Sequence, residues 1–90
     1  MISGLQIRAA RAALRWTIEE LAQKSGLGVR TIKRFEAVDG IPSSRTSTLV
    51  ELKNALEAAG IEFIGTLDDN PGIRLRSRKI PETRGAAASD

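Results

Sequence analysis

Apolar residues recur at three- and four-residue spacings near the start of the chain, which is the spacing of one face of a helix. The segment from Ser3 to Leu14 follows this pattern and is rich in alanine, the residue with the highest helix propensity. Ser3 is suited to the N-cap, because its hydroxyl oxygen can accept a backbone N–H of the first turn. The pattern therefore predicts a first helix from Ser3 to Leu14.

A second helix is predicted to begin at Thr17. Residues 17–20 read Thr-Ile-Glu-Glu and match a capping box, in which the side chains of Thr17 and Glu20 each accept the other's backbone N–H. The helix is expected to end near Ser25, since Gly26 can adopt the left-handed conformation with which many helices end.

The segment Val29–Glu36 predicts a third helix. Ile32 and Phe35 form its inward side, and its three basic residues point elsewhere. A very short connection separates it from the helix before. Because so few residues join the two short helices, we expect them to cross at a large angle.

A loop and a fourth helix follow. Residues 39–44 are rich in turn formers, and the next helix is predicted to start between Ser44 and Ser47 and to run to Ala59, where Gly60 stops it. Its apolar positions form one stripe, which consists of Leu49, Leu52, Leu56 and Ala59.

Two short runs of β-prone residues, Ile61 to Ile64 and Ile73 to Arg76, predict a hairpin whose loop contains residues 68–72. An isolated two-stranded ribbon is marginally stable, so this hairpin is expected to pack on the fourth helix or to pair with a second copy of itself. Ser77 to Asp90 is predicted to be a disordered tail. The chain thus divides into a helical domain at 1–60, a hairpin extension at 61–76 and a tail at 77–90.

The chain contains neither cysteine nor histidine. This excludes disulfides, thiolate and imidazole metal ligands, and catalysis by those side chains, so we expect no enzyme, no metal and no cofactor. No apolar run approaches the roughly 18 to 20 residues that span a bilayer, and the N-terminus lacks the pattern of a signal peptide. The expectation is a cytoplasmic protein of mainly α fold class without a membrane partner.

Charge is distributed unevenly along the chain. Residues 1–36 carry seven basic and three acidic groups, residues 37–72 carry two and six, and residues 73–90 carry five and two. A basic N-terminal part suits a polyanion, because each phosphate that a lysine or arginine neutralises releases condensed counterions. The same charges are equally compatible with a solvated surface, so the pattern of residues around them decides between the two interpretations.

The stretch from Thr17 to Glu36 resembles the helix-turn-helix of the XRE family, which includes phage repressor and Cro proteins. The resemblance extends from about Leu5 to Ala59, and it implies four to five helices, with residues 29–36 as the recognition helix. The matching pieces are Glu20-Leu21-Ala22 on the supporting helix, Ser25-Gly26-Leu27 at the turn, and Thr31-Ile32 with Phe35-Glu36 on the recognition helix.

In this family the outward positions of the recognition helix reach base edges and nearby phosphates. The resemblance implies that Arg30 and Arg34 share a face and bind guanine through two hydrogen bonds each, and that Val29 meets a thymine methyl. Thr31 and Lys33 are better placed for phosphates. The implied DNA-binding set is Thr17, Gly28, Val29, Arg30, Thr31, Lys33 and Arg34.

The resemblance also implies a structural ion pair between Arg11 and Glu36, which would link the first helix to the end of the recognition helix. Arg8, Arg11 and Arg15 lie along one side of the first helix. That side is interpreted either as a solvated face or as a set of phosphate contacts.

Two positions depart from the family pattern. Ile18 stands where the family commonly has a glutamine that touches DNA, and the acidic Glu19 follows it; Val29 is apolar where a polar residue is frequent. Ile18 and Val29 can therefore form an exposed apolar patch, which suits a protein better than a phosphate. The alternative hypothesis is a helix-turn-helix scaffold that binds a transcription factor or a toxin through Ile18, Glu19 and Val29, as an antiactivator or antitoxin.

The leading hypothesis is a sequence-specific regulator of transcription that binds double-stranded DNA as a homodimer. A module of this size buries limited surface, so pairing across two half-sites about one helical turn apart is the usual route to adequate affinity. The candidate dimer surface is the hairpin from Ile61 to Arg76 or the apolar stripe of the fourth helix.

Overall fold

The structure, a computed structural model of the chain, describes residues 1–66 and 69–76. Within them, four helices precede one antiparallel hairpin, which confirms the predicted fold class. The tail predicted at residues 77–90 lies outside the described residues. The elements are α1 (Gly4–Leu14), α2 (Ile18–Ser25), α3 (Val29–Glu36), α4 (Thr46–Ala58), β1 (Ile61–Thr66) and β2 (Asp69–Leu75).

The predicted caps define the first two helices. Ser3 Oγ accepts the backbone N–H of Gln6 at 3.1 Å and begins α1. At α2, Thr17 Oγ1 accepts the N–H of Glu20 at 3.0 Å, and Glu20 Oε1 accepts the N–H of Thr17 at 2.7 Å. Gly26 ends α2 with φ of 78°, a conformation that strains any residue with a Cβ. The capping box and the glycine stop are both confirmed.

The core is built from apolar side chains spaced three or four residues apart on each helix. Ile32 and Phe35 of α3 are fully buried, as predicted, and each contributes about 1.5–3 kcal/mol by leaving water. α2 packs against both α3 and α4, while α1 packs against α3. The buried apolar set is Ile2, Ile7, Ala10, Leu21, Ala22, Ile32, Phe35, Leu49, Leu52, Leu56 and Ile61.

The hairpin is longer than its sequence pattern predicts. Ile61 lies opposite Leu75 and Phe63 lies opposite Ile73, but the pairing continues to Asp69. Residues 69–72 were predicted as loop because they include Asn-Pro-Gly, and this prediction is wrong. Both strands of a two-stranded sheet are edge strands, where Pro71 can lack an N–H without disrupting the pairing.

The hairpin is attached to the helices on two sides. β1 packs on α4, which is one of the two arrangements expected for the hairpin, and β2 packs on α1, a contact that the sequence pattern did not indicate. Gln6 makes the polar part of this attachment: its buried amide nitrogen donates to the carbonyl oxygens of Ile64 at 3.2 Å and Gly72 at 2.9 Å. Its Oε1 accepts from the backbone N–H and the hydroxyl of Ser3. One side chain thus caps α1 and holds both strands.

Replacing Gln6 with alanine is expected to lower the free energy of unfolding by about 1–3 kcal/mol, because two carbonyl oxygens and the start of α1 lose their buried partner. Chemical denaturation of the two proteins measures this difference. Gln23 is exposed on α2, and Gln23→Ala is a matched control with an expected effect within about 0.5 kcal/mol. Equal effects of the two substitutions would show that Gln6 does not anchor the hairpin.

Candidate nucleic-acid interface

Helix α3 separates its apolar and basic residues onto different sides. Ile32 and Phe35 have no exposed surface, whereas Arg30, Lys33 and Arg34 are exposed. An α-helix has 3.6 residues per turn. When Ile32 and Phe35 face the core, the three basic residues therefore lie on the other sides of the helix. The buried side fixes the helix on the domain, and the basic side is left available to a partner.

The N-terminus of α3 has no side-chain cap. Gly28 occupies the N-cap position, is exposed, and offers no side chain to the amides of the first turn. Those N–H groups have no partner within the helix, and together with the helix dipole they favour an anion. A phosphate placed there would accept from the backbone, which agrees with the position that the resemblance gives to Gly28.

The three basic side chains differ in their contacts. Arg34 Nη1 donates to the carbonyl oxygen of Ser43 at 2.7 Å, and its guanidinium lies 5.0 Å from the centre of the Phe35 ring. Across residues 1–66 and 69–76, neither Arg30 nor Lys33 forms an ion pair with a carboxylate. Arg34 is therefore held in one orientation, while the side chains of Arg30 and Lys33 have no carboxylate partner among the described residues.

The loop before α4 was missed as a candidate binding segment. The hydrogen bond from Arg34 to Ser43 places this loop beside the basic side of α3. Arg45 is the N-cap of α4 and gives no side-chain hydrogen bond to the helix, and residues 43–47 are all exposed. The available signal was a run of hydroxyl residues around one arginine directly before a helix, a composition suited to phosphates.

Thr17 lies at the exposed start of α2. Its oxygen accepts from Glu20, but its hydroxyl hydrogen remains available to donate. Thr31 is half-buried on α3, and Glu19 is exposed in the first turn of α2. The DNA-binding positions implied by the resemblance are therefore at the surface or half-buried.

Ile18 and Val29 both contact the core. Both side chains are half-buried and pack against it. The apolar area that they offer to a partner is accordingly smaller than the sequence suggested. Glu19 beside them is exposed.

Arg11 and Glu36 lie together between α1 and the last turn of α3. Arg11 Nε and Nη2 donate to the two carboxylate oxygens of Glu36 at 2.8 and 2.9 Å, and Arg11 Nη1 donates to the carbonyl oxygen of Trp16 at 3.0 Å. The Glu36 side chain is only 7% exposed. The hydrogen bond to Glu36 raises the pKa of Arg11 above its ordinary value, although burial opposes this rise.

Arg8 is also occupied inside the fold. It donates to the carbonyl oxygen of Glu36, and its second amino group lies 2.5 Å from a carboxylate oxygen of Asp39. Arg8 and Arg11 therefore join α1 to the end of α3. Arg15, the third residue of this row, is exposed at the C-cap of α1. The structure thus gives Arg11 the internal partner that the resemblance implied, and it gives Arg8 internal partners that neither interpretation of the arginines on α1 anticipated.

The exposed basic side chains and the uncapped N-terminus of α3 suit binding of a polyanion. Among residues 1–66 and 69–76, no group of three or more acidic side chains is placed to hold a metal ion. None of the described helices has the length and hydropathy to cross a membrane. In the described part of the chain, this surface offers the positive charges of the basic side chains of α3 and the backbone N–H groups of its first turn.

Comparison with known proteins places this geometry in a family. A family model described as helix-turn-helix matches residues 7–51, which is half of the 90-residue chain and includes most of α1, all of α2 and α3, and the start of α4. The cryptic phage CTXphi transcriptional repressor RstR of Vibrio cholerae is 30% identical over 74 residues. The match covers 80% of this chain and 64% of that relative, so the chain spans less than two thirds of the relative's length.

The matched segment contains α2 and α3, which pack against each other, and the basic side of α3. The sequence resemblance, the fold and the family match agree on the same residues. The chain therefore belongs to the helix-turn-helix family, of the XRE type.

Proposed function

We propose that this protein is a sequence-specific DNA-binding regulator of transcription that inserts α3 into the major groove. The observation that carries the proposal is the exposure of Arg30, Lys33 and Arg34 on a helix whose other side is fully buried. A rigid helix with a basic outer side and an uncapped N-terminus is the form in which helix-turn-helix proteins reach base edges. The relative described as a transcriptional repressor supports repression as the outcome.

Each position has a proposed role. Arg30 and Arg34, four residues apart, read guanine with two hydrogen bonds each, and the contact of Arg34 with Ser43 limits the rotamer entropy lost on binding. Val29 meets a thymine methyl. The phosphate contacts come from Thr17, Gly28, Thr31 and Lys33, with Arg45 as an addition from the structure.

We further propose that the protein binds as a homodimer on an inverted repeat. Two copies double the number of base contacts without enlarging the module. The hairpin is the candidate dimer surface, because in the described part of the chain both of its outer edges lack a strand partner, and Leu75 on β2 is 50% exposed.

The alternative function, binding of a transcription factor or toxin without DNA, was motivated by Ile18, Glu19 and Val29. Glu19 is exposed, but Ile18 and Val29 pack against the core, so the apolar part of that motivation is weaker. A protein of this kind would show no affinity for duplex DNA in dilute salt, which separates the two functions.

Arg30→Ala is expected to weaken binding to the preferred site by about 1–3 kcal/mol and to relax the preference for one base pair. The experiment is selection of bound duplexes from a random library, followed by titration of the selected duplex with each variant. Lys53→Ala is the matched control, since Lys53 lies on α4 and pairs with Glu57 at 3.3 Å. If Arg30→Ala bound the selected duplex as tightly and as selectively as the Lys53 control, the assignment of α3 as the reading helix would be wrong.

A further inference from the structure

A groove lies between the C-terminal half of α4, the end of α2 and the residue that precedes the α2 cap. It is lined by Trp16, Lys24, Ala55, Ala58 and Ala59, and its volume is about 280 Å³. At about 30 Å³ per water molecule in the liquid, this is room for roughly nine waters. The walls are an indole ring and three methyl groups, so most of the surface that a ligand would meet is apolar.

The groove carries one charge, and no acidic side chain of the described chain neutralises it. Lys24 Nζ lies 5.7 Å from the centre of the Trp16 ring. Glu20, four residues earlier on α2, directs one carboxylate oxygen to the backbone N–H of Thr17, and Glu57, beside Ala58, pairs with Lys53. Among residues 1–66 and 69–76, Lys24 forms no ion pair.

We propose that this groove binds a small organic carboxylate with an apolar body. The apolar body would cover the alanine methyl groups and the indole, and the carboxylate would pair with Lys24. A neutral apolar molecule would bring no counter-charge to the hydrated ammonium of Lys24, and an inorganic anion would leave the apolar walls exposed to water. The combination of the two features in one recess is what selects this class of ligand.

Along α4 the groove lies away from the loop at Arg45, whereas on its other side Trp16 directly precedes Thr17, one of the proposed phosphate contacts. Ala55 lies nine residues beyond Thr46, the first residue of α4, which at 1.5 Å per residue is about 14 Å along the helix. Trp16 nevertheless contacts the ion pair that joins α1 to α3, because its carbonyl oxygen accepts from Arg11 at 3.0 Å. A ligand at Trp16 thus lies one hydrogen bond away from the residue that fixes the end of the recognition helix. The proposal concerns ligand binding to the free protein and does not rest on DNA binding.

The test is a titration of the full chain with phenylacetate, followed by two-dimensional ¹⁵N–¹H NMR. The chain has one tryptophan, so its indole N–H gives a single signal that reports directly on the groove. A ligand of about ten non-hydrogen atoms is expected to saturate in the millimolar range. The neutral isostere phenylacetamide and the variant Lys24→Met test the charge, and Lys53→Met is the control for loss of a lysine elsewhere.

We expect the indole signal of Trp16 to shift and saturate with phenylacetate. We expect Lys24→Met to bind phenylacetate about fivefold more weakly than wild type does, and wild type to bind phenylacetamide about fivefold more weakly than phenylacetate. Lys53→Met is expected to bind phenylacetate as tightly as wild type does. The proposal is overturned by an indole signal that does not move, by equal affinity for the acid and the amide, or by a Lys24→Met variant that binds phenylacetate as tightly as wild type. A folded spectrum of each variant is checked first, and the exposure of Lys24 makes its replacement compatible with folding.

Discussion

Gly4→Ala is expected to lower the free energy of unfolding by about 3 kcal/mol or more. Gly4 is buried at the first turn of α1, and its N–H donates to the carbonyl oxygen of Gly40 at 2.8 Å. A Cβ at this position would lie closer than 3.0 Å to the carbonyl oxygens of Phe35 and Val38. Both are backbone atoms, so relief requires that α1 move away from the end of α3.

Gly40→Ala is the matched control for this substitution. A Cβ at Gly40 meets no atom within 4 Å, so the expected change is within about 0.5 kcal/mol. Thermal or urea unfolding of the two variants measures the difference. A Gly4→Ala protein as stable as the Gly40→Ala protein would show that α1 and the 35–40 segment are not packed as closely as the structure has them.

Arg11→Met is expected to destabilise the fold by about 3–5 kcal/mol, because it leaves the carboxylate of Glu36 buried without its charge partner. Glu36 also lies in the last turn of α3, where the helix dipole disfavours a negative charge. The measurement is urea denaturation, with the midpoint and slope compared with those of wild type.

Two controls separate the buried charge from lost packing. In the double variant Arg11→Met with Glu36→Leu, no charge is left buried, so most of the lost stability is expected to return. Lys53→Met breaks an ion pair whose members are 43% and 40% exposed, and its expected cost is below about 1 kcal/mol. If Arg11→Met lowered the free energy of unfolding no more than Lys53→Met does, the ion pair between Arg11 and Glu36 would not be what holds α1 against α3.

The helices and their ends could be predicted because the signals are local. The Thr17 and Glu20 capping box and the stop at Gly26 depend on residues within one turn of each other, and the structure confirms both. The inward positions Ile32 and Phe35 follow from the helical period alone. For these elements the hydrophobic pattern and the capping residues agree, so no distant contact was needed to decide the structure.

The parts that could not be predicted depend on residues far apart in the chain. Gln6 holds carbonyl groups that lie 58 and 66 positions further along, and nothing near Gln6 in the sequence marks it as buried. The contact of β2 with α1 and the approach of Gly4 to Val38 are of the same kind. Residues 69–72 were predicted as a loop because proline and glycine favour turns. This preference was given more weight than the fact that an edge strand tolerates proline.

The candidate site was predictable in its chemistry and less so in its geometry. The basic residues of α3 were identified from the family pattern, but the contact between Arg34 and Ser43 and the exposed loop at Arg45 come from the structure. Ile18 and Val29 were expected at the surface, because they occupy positions where the family pattern commonly has polar residues that face DNA. Their packing against the core depends on how α2 and α3 pack together, which the residues next to each of them in the sequence do not reveal.

The most direct test of the account is the salt dependence of binding to a selected duplex, measured for wild type and Lys33→Ala with Lys53→Ala as control. The account predicts that the logarithm of the affinity falls linearly with the logarithm of the salt concentration, and that Lys33→Ala reduces the slope by about one while the control leaves it unchanged. Absence of binding in dilute salt, or identical slopes for all three proteins, would contradict the claim that the basic side of α3 binds DNA.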